Sequence, residues 1–400
     1  MGEKEKPLIK ISDVVFFQEG PGVRNTQYTT KGVKLLNVAN LVDGKIDLST
    51  SNRYISEEEA YGKYNHFLCE AGDFVVASSG IKVEYIDKKM GFIEESMLPL
   101  CMNTSTIRFK VLDKNQLDIR YFMYYLKSRL FKEQLARHIT GSAQLNYGPS
   151  HLKKMTMPLI ALEKQKEMVA VLDKIQIIIS NFQQQLSELD TLIKARFVEM
   201  FGDPIKNSKG WDIVTIADVV TEVRYGTSKP AVDGGKYPYL RMNNLTTDGQ
   251  LDLTDLKYIN ISDDEKEKCV VRKGDVLFNR TNSIDLVGKT AVFDLEEEMV
   301  IAGYIIRVRL NEKLLPEVFS QYMNHDALKM MLRSMAKGAV NQANINAQEL
   351  QSIKIYLPNM EIQRQYIEMK KQIDKLRVVI QKSLDEAQYL FDSLMQEYFG

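Results

Sequence analysis

The feature that most constrains this chain is that it repeats itself. Residues 159–165 read L-I-A-L-E-K-Q, and 198 positions later residues 357–363 read L-P-N-M-E-I-Q. The same offset sets Gln144 against Gln342, Asn146 against Asn344, Leu152 against Leu350, and Phe201-Gly202 against Phe399-Gly400. Nearer the start of each half the offset drifts to about 204, as small insertions require. There residues 35–41 (L-L-N-V-A-N-L) answer 240–245 (L-R-M-N-N-L), and Gly72-Asp73-Phe74-Val75 answers Gly274-Asp275-Val276-Leu277. Matches in one order across nearly 200 residues define two duplicated domains, and the period is far too long for a solenoid repeat. Four hundred residues therefore divide into two halves rather than one core.

Each half reads as a globular part followed by a helix. The globular parts carry β-type runs at 74–77, 106–111, 276–279 and 304–310, separated by Asp-Gly and Lys-Gly turn signals, which predicts α+β domains. One helix-period segment sits late in each, at 119–140 and 316–337. The closing segments are clearer. In the first, apolar residues fall at 168, 172, 175, 179, 182, 186, 189 and 193, alternating gaps of four and three as a heptad seam does. In the second the seam runs 362, 366, 369, 373, 376, 380, then Ser383, Ala387, Leu390 and Leu394. Neither contains Pro or Gly in its interior, and about 38 residues make a helix of about 57 Å. A helix of that length must bury its stripe, either on its own globular domain or against the other helix. We expect the second: an antiparallel pair, related by a pseudo-twofold, holding the globular domains at opposite ends.

No catalytic constellation is present. With histidines only at 66, 138, 151 and 325 there is no H-E-x-x-H, and G-x-S-x-G and G-x-G-x-x-G are also missing. Gly288-Lys289-Thr290 resembles the end of a phosphate loop, but Ser283 stands where its opening glycine belongs. No N-P-P-Y or D-P-P-Y tetrapeptide of an amino-methyltransferase occurs. Cysteines 69, 101 and 269 are odd in number and far apart, which reads as reduced packing residues. No run reaches the roughly 20 apolar residues of a membrane span. Residues 1–10 lack the apolar core of a signal peptide, so a cytoplasmic location without a membrane partner is expected.

What the sequence offers is nucleic-acid chemistry. Asn279-Arg280-Thr281-Asn282-Ser283 follows a predicted strand directly. Arginine forks onto guanine O6 and N7 and asparagine pairs with adenine N6 and N7, at about 1–3 kcal/mol of discrimination per good contact. Lys289 suits a phosphate, and Arg224-Tyr225 leads into a second small polar loop, Gly226-Thr227-Ser228-Lys229. By composition alone these are also ordinary surface turns. The 53 basic and 53 acidic residues cancel, but unevenly: the net charge is +4 over 1–162, −1 over 163–202, −2 over 203–360 and −1 over 361–400. Segment 119–162 alone holds seven Lys or Arg against Glu133, and 319–348 holds Lys329, Arg333 and Lys337 against Asp326. Each basic segment ends in a Gly-, Gln- and Asn-containing stretch, which suits phosphate positioning followed by base contact.

Taken together, the chain resembles the specificity subunit of type I restriction-modification systems, over essentially its whole length. The carriers are the G-x-x-x-Q-x-N stretch at 338–344, the L-P-x-x-E-x-Q run at 357–363, their first-half cognates at 141–146 and 159–165, and residues 274–283. The first half departs at Ser78-Ser79-Gly80, which replaces Arg280-Thr281-Asn282. The resemblance implies two α+β target recognition domains, 1–162 and 203–360, joined by two long antiparallel coiled-coil spacer helices, 163–202 and 361–400. Each domain would read one half of a bipartite site in double-stranded DNA, and the spacer would set the unread gap. Implied partners are two modification (methyltransferase) subunits, which carry S-adenosylmethionine and methylate adenine, and restriction (translocase) subunits. This chain itself would hold no catalytic residue, cofactor or metal. Expected DNA contacts in the second domain are Arg224, Tyr225, Thr227, Ser228, Lys229, Asn279, Arg280, Thr281, Asn282, Ser283, Lys289, Asn341, Gln342 and Asn344. In the first they are Ser78, Ser79, Lys82, Arg137, Ser142, Gln144 and Asn146. The competing readings are a coiled-coil protein–protein scaffold without DNA specificity, which zero net charge would suit, and a stand-alone enzyme.

Overall fold

A computed structural model of the chain describes residues 7–138, 145–339 and 342–400. It divides into two compact units, Met1–Phe182 with Ser383–Gly400, and Gln183–Lys382. The helices that matter below are α1 (Ile119–Lys127), α2 (Arg129–His138), α3 (Leu162–Phe201), α4 (Pro316–Asn324), α5 (Asp326–Met335) and α6 (Met360–Phe399). The central strands of the first unit are β1 (Val15–Glu19), β2 (Phe74–Ala77), β3 (Met90–Phe92) and β4 (Thr106–Val111). Those of the second are β5 (Val220–Tyr225), β6 (Val276–Asn279), β7 (Thr290–Val292) and β8 (Ile305–Leu310).

Both units are α+β, and the duplication is visible strand by strand. The central antiparallel sheet has the order β1-β4-β2-β3 in the first unit and β5-β8-β6-β7 in the second. A second small sheet repeats as well: Val33–Leu36 lies parallel to Leu100–Met102 and antiparallel to Tyr54–Ile55, as Tyr237–Leu240 lies to Met299–Ile301 and Lys257–Ile259. β2 and β6 are buried along their whole length, which is why they read as continuous apolar runs rather than alternating ones. Gly20 and Gly226 follow β1 and β5, and a Cβ there would sit 2.0 Å from the Asn103 carbonyl oxygen or 2.1 Å from that of Ile301. Only glycine permits that approach.

Two pairs of letters that match between the halves turn out to be clamps. Gln165 and Gln363 are fully buried at the start of the long helices. The Gln165 carbonyl oxygen accepts the Asp118 N–H (2.9 Å), and its amide donates to the carbonyls of Gln116 and Ile160. Gln363 repeats this with Leu315 (2.9 Å), Lys313 and Pro358. Asn40 and Asn244 likewise each accept a backbone N–H, from Asn37 or Arg241, and donate to a backbone carbonyl, of Asp47 or Asp252.

Each helix-period segment expected as one helix is two. α1 ends at Ser128, whose hydroxyl accepts the Phe131 N–H, and α4 ends at His325, whose Nδ1 accepts the Ala327 N–H. These side chains cap a second helix and turn it, so apolar spacing continues while the backbone does not. The long helices are forty residues each, about 60 Å. α3 buries the expected stripe at Leu172, Ile175, Ile179 and Ile193. α6 departs from the expected seam: Leu376 and Leu390 are exposed, and Arg377 and Phe391 take the inner positions. A 3.6-residue period drifts from a strict heptad, and here Arg377 reaches Asp190 while Phe391 meets Tyr124.

Both packing options expected for these helices are used. In the second unit Phe197 of α3 lies 5.6 Å from Tyr366 of α6, and Asp190 pairs with Arg377, so the helices run antiparallel. Phe197, Phe201 and Tyr366 also belong to that unit's core, with Ile306, Val308 and Phe319. In the first unit Val169 and Leu172 of α3, with Met395 and Phe399 of α6, join the core around Phe74, Phe109 and Phe122. The three cysteines are free and buried, and burial pushes the thiols of Cys69 and Cys101 up to about 12.

Candidate nucleic-acid interface

In the second unit β6 ends at Asn279, and the chain runs through Arg280 into the short strand Thr281–Asn282. That strand pairs antiparallel with Gln342–Asn344, which in turn pairs with Lys337–Ala339. Thr281 Oγ1 donates to Asn344 Oδ1 at 2.9 Å, and the Asn282 amide donates to Asn279 Oδ1 at 2.9 Å. The Arg280 guanidinium lies 4.8 Å from the centre of the Tyr225 ring, and the Tyr225 hydroxyl accepts the Ala347 N–H at 2.8 Å. Arg280 also donates to the Gly303 carbonyl at 3.4 Å and pairs with no carboxylate among the described residues. Residues 225, 280, 282 and 344 therefore meet at one end of the central sheet. A cation stacked on an aromatic face keeps its planar fork oriented, which is what bidentate base recognition needs.

Other expected contacts are spent inside the fold. Asn279 is fully buried, and its amide donates to the carbonyls of Thr281 (3.1 Å) and Tyr304 (3.2 Å). Lys289, expected on a phosphate, is 7% exposed and donates to the carbonyls of Met242 (2.7 Å) and Leu245. Its counterpart Lys89 does the same to Leu41 (2.7 Å), so this lysine is a duplicated clamp. Desolvation lowers the Lys289 pKa. Thr227 is buried and donates to Glu265 at 2.8 Å, while Lys229 and Arg224 form ion pairs with Glu265 and Glu222. Ser228 and Ser283 are exposed, Gln342 lies on its strand, and Asn341 falls outside the described residues.

The first unit builds the same frame with other side chains. Ala77 and Asn279 each donate their backbone N–H to the carbonyl of the clamp lysine, Lys89 or Lys289, at 2.8 Å, which aligns Ser78-Ser79-Gly80 with Arg280-Thr281-Asn282. The strand Ser79–Ile81 pairs with Leu145–Asn146. Ser78 is fully buried, so its hydroxyl faces the interior, whereas Ser79 is half-buried and Lys82 and Asn146 are exposed. Ser142 and Gln144 fall outside the described residues. Sequence reasoning missed Tyr85 and Lys88, which with Gly80 and Lys82 line a groove of about 510 Å3. The signal was the three-residue spacing of 82, 85 and 88, since the 3-10 segment Val83–Lys88 eclipses residues three apart.

The basic segment 119–162 is less free than its charge count suggests. Arg120 pairs with Asp173 (2.8 Å), Lys132 with Asp87 (3.2 Å), and Arg129 and Arg137 both with Glu133 (2.6 and 3.7 Å). Asp87 and Asp173 come from other parts of the chain, which a local tally cannot include. Lys153 and Lys154 are the exposed members of that segment without an ion pair among the described residues.

Among the described residues there is no cluster of metal-ligating side chains, and no helix is long and apolar enough to cross a membrane. Comparison with known proteins agrees with the duplicated frame. Residues 9–191 and 208–387 each match the family described as type I restriction modification DNA specificity domain. The specificity subunit assigned to the type I restriction enzyme MjaX of Methanocaldococcus jannaschii is 29% identical over 193 residues, 47% of this chain and 45% of that one. The EcoKI specificity subunit of Escherichia coli K12 is 21% identical over 292 residues, 69% and 63% of the two chains. The chain thus spans about half to two-thirds of the length of these relatives. In fold it is similar to the S subunit of a type I restriction-modification system from M. genitalium, with a TM-score of 0.54 at 15% identity, covering 100% of this chain and 98% of that one. With both halves matched in the order the internal repeat dictates, the chain belongs to the family of type I restriction modification DNA specificity domain proteins.

Proposed function

We propose that this chain is the DNA-reading specificity subunit of a type I restriction-modification complex. The observation that carries the reading is that one backbone frame, built twice, ends in two different polar tips. A protein that binds one partner twice has no reason to keep the frame and change the tips it carries, whereas a reader of two unlike half-sites must. The Arg280–Asn282 tip would read one half of a bipartite double-stranded site, and the Ser79–Lys82 tip with Asn146 would read the other. Residues 1–162 and 203–360 would be the target recognition domains, and 163–202 and 361–400 the spacer that sets the unread gap.

On this reading the chain supplies address and no chemistry. Methyl transfer to adenine from S-adenosylmethionine would belong to two modification subunits, and translocation to the restriction subunits, in the cytoplasm. The long helices support such partners: Ile177 on α3 is 60% exposed, and Val378, Val379 and Tyr389 on α6 are 68%, 63% and 77% exposed, apolar side chains that suit contact with helices of a modification subunit. The test is the double substitution Arg280→Ala with Asn282→Ala, mapping methylated adenines in a host that supplies the modification subunit. Discrimination should fall at one half-site, by about ten- to a hundredfold per lost bidentate contact, with assembly intact. Equal loss at both half-sites would sink the assignment.

A further inference from the structure

In the second unit a cleft of about 580 Å3 opens between α5, the loop that follows Asn282, the turn at Asp248 and the adjoining stretches of α3 and α6. Most charges on its walls are paired: Lys194 with Asp326 (3.5 Å), Lys370 with Asp374 (2.6 Å), and Arg377 with Asp190. Lys289, Lys329 and Arg333 are not. Lys329 donates to the Gly288 carbonyl, Arg333 to that of Asp285 (3.3 Å), and Lys289 to the carbonyls already described. The remaining carboxylates of the lining, Asp248 and Asp285, form no ion pair with any of the three among the described residues.

The duplication supplies an internal control. α2 and α5 correspond residue for residue at an offset of 197, so Lys132 is the first-unit counterpart of Lys329. Lys132 meets Asp87 at 3.2 Å. The second copy has Val287 two residues before Lys289, where the first has Asp87 two residues before Lys89. One copy neutralises this lysine, and the other leaves it beside two further cations. Like charges packed together without a counter-charge disfavour their own charged forms until an anion arrives.

We propose that Lys329 and Arg333, with Lys289 behind them, form a site for a DNA backbone phosphodiester flanking the half-site read by Arg280 and Asn282. The inference rests on the DNA-reading function and adds to it a proton-linked contact. Burial, with Lys289 and Arg333 nearby, lowers the Lys329 pKa to about 7. A bound phosphate favours the ammonium, so it raises that pKa and binding takes up a proton. The contact is complete below the free value near 7 and is lost as pH rises through the raised value of the complex.

The experiment titrates a labelled mixed-sequence duplex with the full chain assembled with its modification subunits, from pH 6 to pH 9 at several salt concentrations. Wild-type affinity should weaken as pH rises above 7. Lys329→Arg, which keeps its charge, should bind with a flat profile. Lys329→Met should also be flat, bind about five- to tenfold more weakly at pH 6, and lower the salt slope by about one. Wild-type affinity and salt slope in Lys329→Met, or a retained pH dependence in Lys329→Arg, would overturn the site while leaving the DNA reading intact. Wild-type protein that binds without salt dependence at any pH would overturn both. Should Lys329→Met fail to fold, the profile of Lys329→Arg decides alone.

Discussion

Gln165 and Gln363 show what a matched letter means at the scale of one residue. Each buried amide makes three hydrogen bonds, two to the backbone ahead of α1 or α4 and one to the backbone just ahead of its own long helix. Replacing Gln363 by alanine leaves a buried N–H and two carbonyls unpaired, so the second unit should lose about 2–4 kcal/mol. Trp211 is the single tryptophan of the chain and donates its indole N–H to the Phe201 carbonyl at 2.8 Å. Its emission during urea unfolding therefore reports this loss, and an unchanged midpoint would deny the clamp. Asn279 and Lys289 teach the converse. Both residue types suit base or phosphate contact, yet both sit inside the fold, because Asn279 satisfies the backbone carbonyls of Thr281 and Tyr304 and Lys289 those of Met242 and Leu245. The residue types were legible in the sequence, but which of them face outward was not.

At the scale of elements, the long helices contribute to cores at both of their ends. Phe399 closes α6 with its ring 5.1 Å from Tyr121 and 6.3 Å from Tyr125, inside the core of the first unit. Phenylalanine-to-alanine changes in cores cost about 3–5 kcal/mol. Phe399→Ala should accordingly speed amide hydrogen exchange across α1 while leaving the Trp211 emission of the second unit unchanged. Equal loss of protection in both units would contradict this division. The stripe on α3 was readable because a continuous helix obliges its apolar residues onto one face. The register of α6 was not, since Leu376 and Arg377 compete for the inward position. The outcome depends on Asp190, a residue on another helix.

For the whole molecule, the proposed spacer role makes a metric prediction. Adding seven residues after Ser187 and seven after Ile380 extends both helices by about 10.5 Å while keeping the antiparallel register set by Asp190 and Arg377. The unread gap should grow by about three base pairs with both half-sites unchanged, as read by methylation mapping. An unchanged gap would refute the ruler. The sequence by itself determined the duplication, the α+β class and the two long helices, because periodic apolar spacing and repeated turn residues are local and survive divergence. Only the tertiary structure decided which polar residues form the tips. It also decided that Lys132 is neutralised and Lys329 is not, and that the basic run 119–162 is mostly paired. Each of these depends on which distant groups come within a few ångströms. Electrostatics and hydrogen bonding act across that space, and a charge count along the chain cannot see it.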